Sequence, residues 1–205
     1  RSTEPNLELA SLLYYYALMD LPAETAKKVT GKVSLDENLF TEQTKETAKT
    51  GATAAFSPLE EKISITPHIF TGHPVDKLEH MITLLHETRH YYQHLTTASY
   101  QKSLDGTQKG ELSEEELVAM AFREFGGNKI FPQATKEQLA EMGYALYHQN
   151  PREIDAREYS FEESIRILES ALQATDENNP CRSHLELAVP YVKKRKAKND
   201  QENQI

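Results

Sequence analysis

A single cysteine, Cys181, stands among 205 residues. One thiol closes no intrachain disulfide and supplies no cysteine-based zinc site. It suits a reducing, cytoplasmic compartment. Long apolar runs are missing too. The longest, residues 12–19, is rich in tyrosine and falls far short of the ~18 residues that span a membrane. No glycine-rich phosphate loop is present, and no internal repeat is found. Positive charge is in deficit: 23 Lys and Arg against 32 Asp and Glu leave a net charge of −9. That balance argues against a nucleic-acid binder, which must neutralise phosphates. The exception is the cluster Lys193, Lys194, Arg195, Lys196 and Lys198. Such runs are solvated, so residues 191–205 are expected to form a disordered basic and polar tail. The chain opens on Arg1 rather than methionine. Either an upstream segment was trimmed or foreign residues stand at this end, and a removed secretory signal or anchor is among the options.

What is present fits one domain over residues 1–190. Hydrophobic residues make up 38% and charged residues 27%, enough for a modest core under a solvated surface. Pro5 and the spacing of Leu7, Ala10, Tyr14, Ala17 and Leu18 predict a first helix, broken at Leu21-Pro22 and followed by a short second one to residue 29. Residues 31–35 could be a strand, and 36–49 a weak helix or loop. Residues 52–56 and 62–66 flank Ser57-Pro58-Leu59-Glu60-Glu61, and 62–66 alternate with period two, which predicts a β-hairpin with a five-residue loop. An open strand edge there could receive an extended peptide by main-chain hydrogen bonds. Capping boxes at Ser113 to Glu116 and Thr135 to Gln138 open two further helices.

Between the hairpin and those helices lies His86-Glu87-Thr88-Arg89-His90. This is H-E-x-x-H, on a helix expected from Pro74 to about Thr97. Residues four apart lie one above the other on a helix, so His86 and His90 present two imidazoles to one point. Zinc takes nitrogen ligands at about 2.0–2.1 Å, and two His plus one carboxylate leave a fourth position open to water. Leu78, Met81, Ile82, Leu85 and Tyr92 form the apolar stripe. The two histidines border it, and Glu87 lies nearly opposite, where a general base is needed. His94 extends the spacing but cannot share the ion. Eight residues of helix separate it from His86 by about 12 Å. His68, His73 and His80 fit no ligand spacing.

The third ligand is sought on the helix that opens at Asn150-Pro151. Its core stripe is Ile154, Phe161, Ile165, Leu168 and Leu172. Glu153 shares a second strip with Ala156, Ser160, Ile167 and Ala171, mostly small residues that let another helix come close. Asp155 is expected to point away, toward Glu162 and Arg166. Two readings stay open for Glu153: metal ligand, or partner of Asn150 in a capping box. Asp155 is the alternative ligand. Residues 183–191 form a short apolar segment that Pro190 interrupts.

His86-Glu87-x-x-His90 followed by Glu153-x-x-Ala156 resembles the gluzincin metallopeptidases over about a third of the chain. The resemblance implies a zincin-like α+β domain, mostly helical, with a small sheet in the N-terminal half before the H-E-x-x-H helix. It implies Zn²⁺ held by His86, His90 and Glu153, Glu87 as general base, and a protein or peptide substrate. The sequence departs from the family at Arg157, where many members carry an aspartate that orients a zinc histidine. Tyr144, His148 and Tyr159 are the nearby candidates for stabilising a tetrahedral intermediate. The rival expectation is a non-catalytic helical interaction protein or effector, with a structural or vestigial zinc site.

Overall fold

Lys62-Ile63-Ser64-Ile65 alternates in polarity, as a strand with a buried face must. In the computed structural model, which describes residues 33–35, 54–57, 59–66, 73–102 and 150–202, it is the middle strand of a three-stranded sheet. Strand β1 is Val33–Leu35, β2 is Ala54–Ser57 and β3 is Lys62–Ile65, in the order β1-β3-β2. β2 and β3 run antiparallel with Phe56 opposite Ile63, and β1 is parallel to β3 with Val33 opposite Ile63. Ser57 pairs with Lys62, so the hairpin loop is one residue shorter than its sequence suggested. Glu61 takes the left-handed turn position, with φ 48°.

Three helices follow: α1 (Pro74–Lys102), α2 (Pro151–Ala174) and α3 (Arg182–Glu202). The described chain is thus α+β and mostly helical. Helix α1 begins on Pro74, and Asp76 Oδ2 accepts the His73 N–H at 3.2 Å. It outlasts its expected end because neither Gly nor Pro occurs between residues 75 and 105 to stop it. Asn150 caps α2, its side chain accepting the Arg152 N–H at 2.9 Å.

Helix α1 is buried on two sides. Met81, Ile82 and Leu85 join Phe161 and Leu168 of α2 and Ala188, Val189 and Val192 of α3 in one apolar cluster. Leu84 and Tyr91 are also buried but lie outside that cluster. They share a helix face with Thr88, on the side where α1 meets β2 and β3. The expected stripe described only the first of these faces. On α2 the small strip is Ala156, Ser160 and Ser164, each at most 1% exposed. Both serine hydroxyls donate to carbonyls of their own helix, Arg157 O and Ser160 O, so no polar atom of theirs needs water. Helices α1 and α2 are in extensive contact, as small residues on such a strip permit.

The expected disordered tail is instead helical to Glu202. Val192 and Asn199 are buried, and Lys193, Arg195 and Lys196 of the basic cluster pair with acidic side chains. Arg195 forks onto Glu79 of α1 at 2.9 and 3.0 Å, and Tyr191 Oη donates to the same carboxylate at 2.7 Å. Lys193 pairs with Glu169 at 2.7 Å, and Lys196 with Asp200 at 3.2 Å. Pro190 does not interrupt the helix. It sits on the exposed face, where water can meet the carbonyl it leaves unbonded. Among the described residues no helix is long and apolar enough to cross a membrane. The expected helices within 5–29 and 113–149, the loop at 36–49, and Tyr144, His148 and His68 lie outside the described residues.

The small strip sets how close α2 comes to α1. Ala156→Leu should therefore destabilise the fold by about 1–3 kcal/mol through overpacking, read by chemical denaturation. An unchanged midpoint would show that the strip has room to spare.

Candidate metal centre

Two turns of helix and one helix start bring three donors together. His86 and His90 sit one turn apart on α1, their rings edge to face with centroids 4.5 Å apart. Their Nε2 atoms lie 3.0 Å from each other. Glu153, in the first turn of α2, sets Oε2 at 3.2 Å from His86 Nε2 and Oε1 at 3.2 Å from His90 Nε2. All three side chains are about one-eighth exposed. Glu153 is thus directed at both imidazoles, while Asn150 caps the helix through the Arg152 N–H.

These separations have a simple meaning. Ligands bound at about 2.0–2.1 Å around a tetrahedral ion stand roughly 3.3 Å from one another. The two Nε2 atoms are 3.0 Å apart, each has its own Glu153 oxygen at 3.2 Å, and one ligand atom from each residue lies within 4.8 Å of the others. Two imidazole nitrogens and a carboxylate so close repel unless a proton or a metal cation lies between them. Among the described residues, His86, His90 and Glu153 are the group of His, Cys, Asp and Glu side chains that could hold a metal ion. Two imidazoles with one carboxylate suit zinc better than calcium or magnesium, which prefer all-oxygen shells. Burial works against a charged His90, but Glu153 beside it, with Glu87 and Gln93, outweighs this and raises the ring above the ordinary imidazole range.

Glu87 faces the sheet. Its Oε2 accepts the main-chain N–H of Phe56 on β2 at 2.8 Å. Phe56 also packs on Tyr91 and His94, with ring centroids at 5.2 and 5.7 Å. Glu87, Tyr91 and His94 therefore form one face of α1 laid along β2. Burial pushes the Glu87 carboxyl above the usual carboxylate range. The charges of His86 and His90 and the Phe56 N–H pull it back, and Glu153 adds to the rise.

His94 lies against Phe56, 3.7 Å from Glu61, outside the three-donor group. His73 is exposed at the start of α1, and Cys181 is exposed in the turn before α3. Tyr159 packs on the apolar cluster, with the Arg89 guanidinium 5.0 Å from its ring centre.

Asp155 corrects the sequence reading. It faces neither Glu162 nor Arg166, and Arg166 pairs with Glu163 instead. Both Asp155 oxygens accept from Arg89, at 2.8 and 2.9 Å. Its Oδ2 also accepts from Gln93 at 2.6 Å. A helical projection puts Asp155 about 160° from Glu153. The first turn of α2 meets α1 closely enough that long side chains on α1 reach round both of its faces. Gln93 and Arg89 are the residues that sequence reasoning passed over. Their signal was spacing: Gln93 follows His90 by one turn and projects about 20° from His86.

Comparison with protein-family models, with curated proteins and with solved structures returned no match.

The raised Glu87 carboxyl fixes the sign of a pH effect in the metal-free chain. The folded state holds this proton more tightly than the unfolded chain. The stabilisation is present below the unfolded carboxylate range and is lost as pH rises through the folded value. Glu87→Gln cannot ionise and escapes the loss. Its stability relative to the native metal-free chain should increase from acid to mildly alkaline pH in denaturant titrations. A difference that does not vary with pH would refute the assignment.

Proposed function

We propose that this chain is a zinc-dependent metallopeptidase of the gluzincin type, a zincin-like domain that hydrolyses peptide bonds. The observation that carries the reading is the convergence of His86, His90 and Glu153, with the two Nε2 atoms 3.0 Å apart and one Glu153 oxygen 3.2 Å from each. A structural zinc site has four protein ligands. Among the described residues no fourth His, Cys, Asp or Glu joins these three, which favours a site with an open position.

A divalent cation on these ligands supplies Lewis acidity, polarising the scissile carbonyl and acidifying water. The chain's own residues do the rest. Glu87 takes the proton of the attacking water as its oxygen bonds to the carbonyl carbon. It then passes that proton to the amine nitrogen as the C–N bond breaks. A carboxyl raised by burial is better matched to this shuttle near neutral pH than an ordinary one.

The peptide substrate is argued from the sheet. β2 has β3 on one side and lies at the edge of the described sheet. Its Phe56 N–H is directed at Glu87. An extended peptide laid along that edge by main-chain hydrogen bonds would run past the base and the three donors.

The test uses the full chain loaded with zinc and a mixture of quenched fluorescent peptides. Glu87→Gln should keep its zinc and lose about 10²–10⁴-fold in kcat/KM. Glu153→Gln should lose zinc and activity together. Undiminished hydrolysis by Glu87→Gln refutes the peptidase reading. Zinc on the native chain with no cleavage of any peptide returns it to an interaction protein with a non-catalytic ion.

A further inference from the structure

Gln93 is fully buried, at 0% exposed, one turn beyond His90. A buried amide is costly unless its polar atoms are met, and here all of them are. The Nε2 group donates to Asp155 Oδ2 at 2.6 Å and to Arg152 O at 2.9 Å. The Oε1 atom faces His90 Nδ1 at 2.9 Å and accepts from Arg152 Nε at 3.3 Å.

These four contacts determine which way the amide lies. Turned over, its oxygen would face a carboxylate and a carbonyl, and its NH₂ would face the Arg152 Nε–H. The orientation of an amide and the tautomer of a neighbouring histidine are set together by such a network. With the oxygen on His90, Nδ1 must carry the hydrogen. The lone pair is then on Nε2, the nitrogen that faces His86 Nε2 and Glu153 Oε1. Asp155 is in turn held by both ends of the Arg89 fork, and Arg89 lies over Tyr92 at 4.5 Å.

We infer that Gln93 is a positioning residue, which fixes His90 as its Nδ1–H tautomer and so turns Nε2 toward the ion. The inference rests on the metal-site reading above. Arg89 and Asp155 anchor the amide. Arg157, at the position where many gluzincins carry an aspartate, offers no side-chain acceptor, and the orienting work falls on Gln93 and Asp155. Orienting groups of this kind are worth about 10–100-fold in metal affinity.

The experiment is a long-range ¹H–¹⁵N correlation spectrum of the imidazoles in the full chain. It is recorded metal-free at alkaline pH, where the rings are neutral, with His90 assigned by its loss in His90→Asn. The native chain should show the Nδ1–H pattern at His90. An Nε2–H pattern overturns the inference whether or not the chain binds zinc. In Gln93→Met, His90 should become a mixture of tautomers. Zinc affinity, read by competition with a chromogenic chelator, should fall about 10–100-fold with helical circular dichroism retained. An unchanged tautomer and unchanged zinc affinity in that variant overturn the inference. A native chain with the Nδ1–H pattern that takes up no zinc supports the positioning of His90 and overturns the metal-site reading instead.

Discussion

The approach of the first turn of α2 to the middle of α1 is the constraint on which the rest depends. That contact carries Glu153 to the two imidazoles, Asp155 to Arg89 and Gln93, and the Arg152 carbonyl to the same glutamine. It is possible because Ala156, Ser160 and Ser164 offer little bulk on that side. Sixty-odd residues separate the partners in sequence. Their meeting is therefore a product of packing and not of local chain preference.

Two polar systems leave α1 in different directions. Glu87 goes to the sheet and binds the Phe56 N–H. Arg89 and Gln93 go to α2 and bind Asp155. His86 and His90 stand between these systems. The helix is held from both sides at the turn that carries the donors, and a metal site benefits from such rigidity. Further along, the Glu79 carboxylate ties α1 to Tyr191 and Arg195 of α3. Because Arg195 and Glu79 are both partly exposed, this link adds less to stability than the apolar cluster beside it.

The parts of this structure legible in the sequence are those that depend on residues close together. The hairpin followed from alternation in residues 62–66, and the start of α2 from Asn150-Pro151. Spacing put Glu153 on a small strip, and the two histidines four apart favoured it as a ligand over a helix cap. What was missed depends on side-chain reach and on long-range pairing. Asp155 projects away from Glu153, and nothing local says that Arg89 and Gln93 reach it. The second buried face of α1, Leu84 and Tyr91, was hidden because a stripe analysis finds one face well and two faces poorly. The basic run after residue 191 looked solvated because its acidic partners, Glu79 and Glu169, belong to other helices.

On the proposed reading, two imidazoles and one carboxylate of this chain hold one zinc ion. X-ray absorption at the zinc edge of the loaded chain tests it most directly. The account predicts a shell of nitrogen and oxygen scatterers at about 2.0–2.2 Å, with imidazole outer-shell features and no sulfur. A sulfur scatterer at about 2.3 Å, or a shell of water oxygens without imidazole, would contradict it.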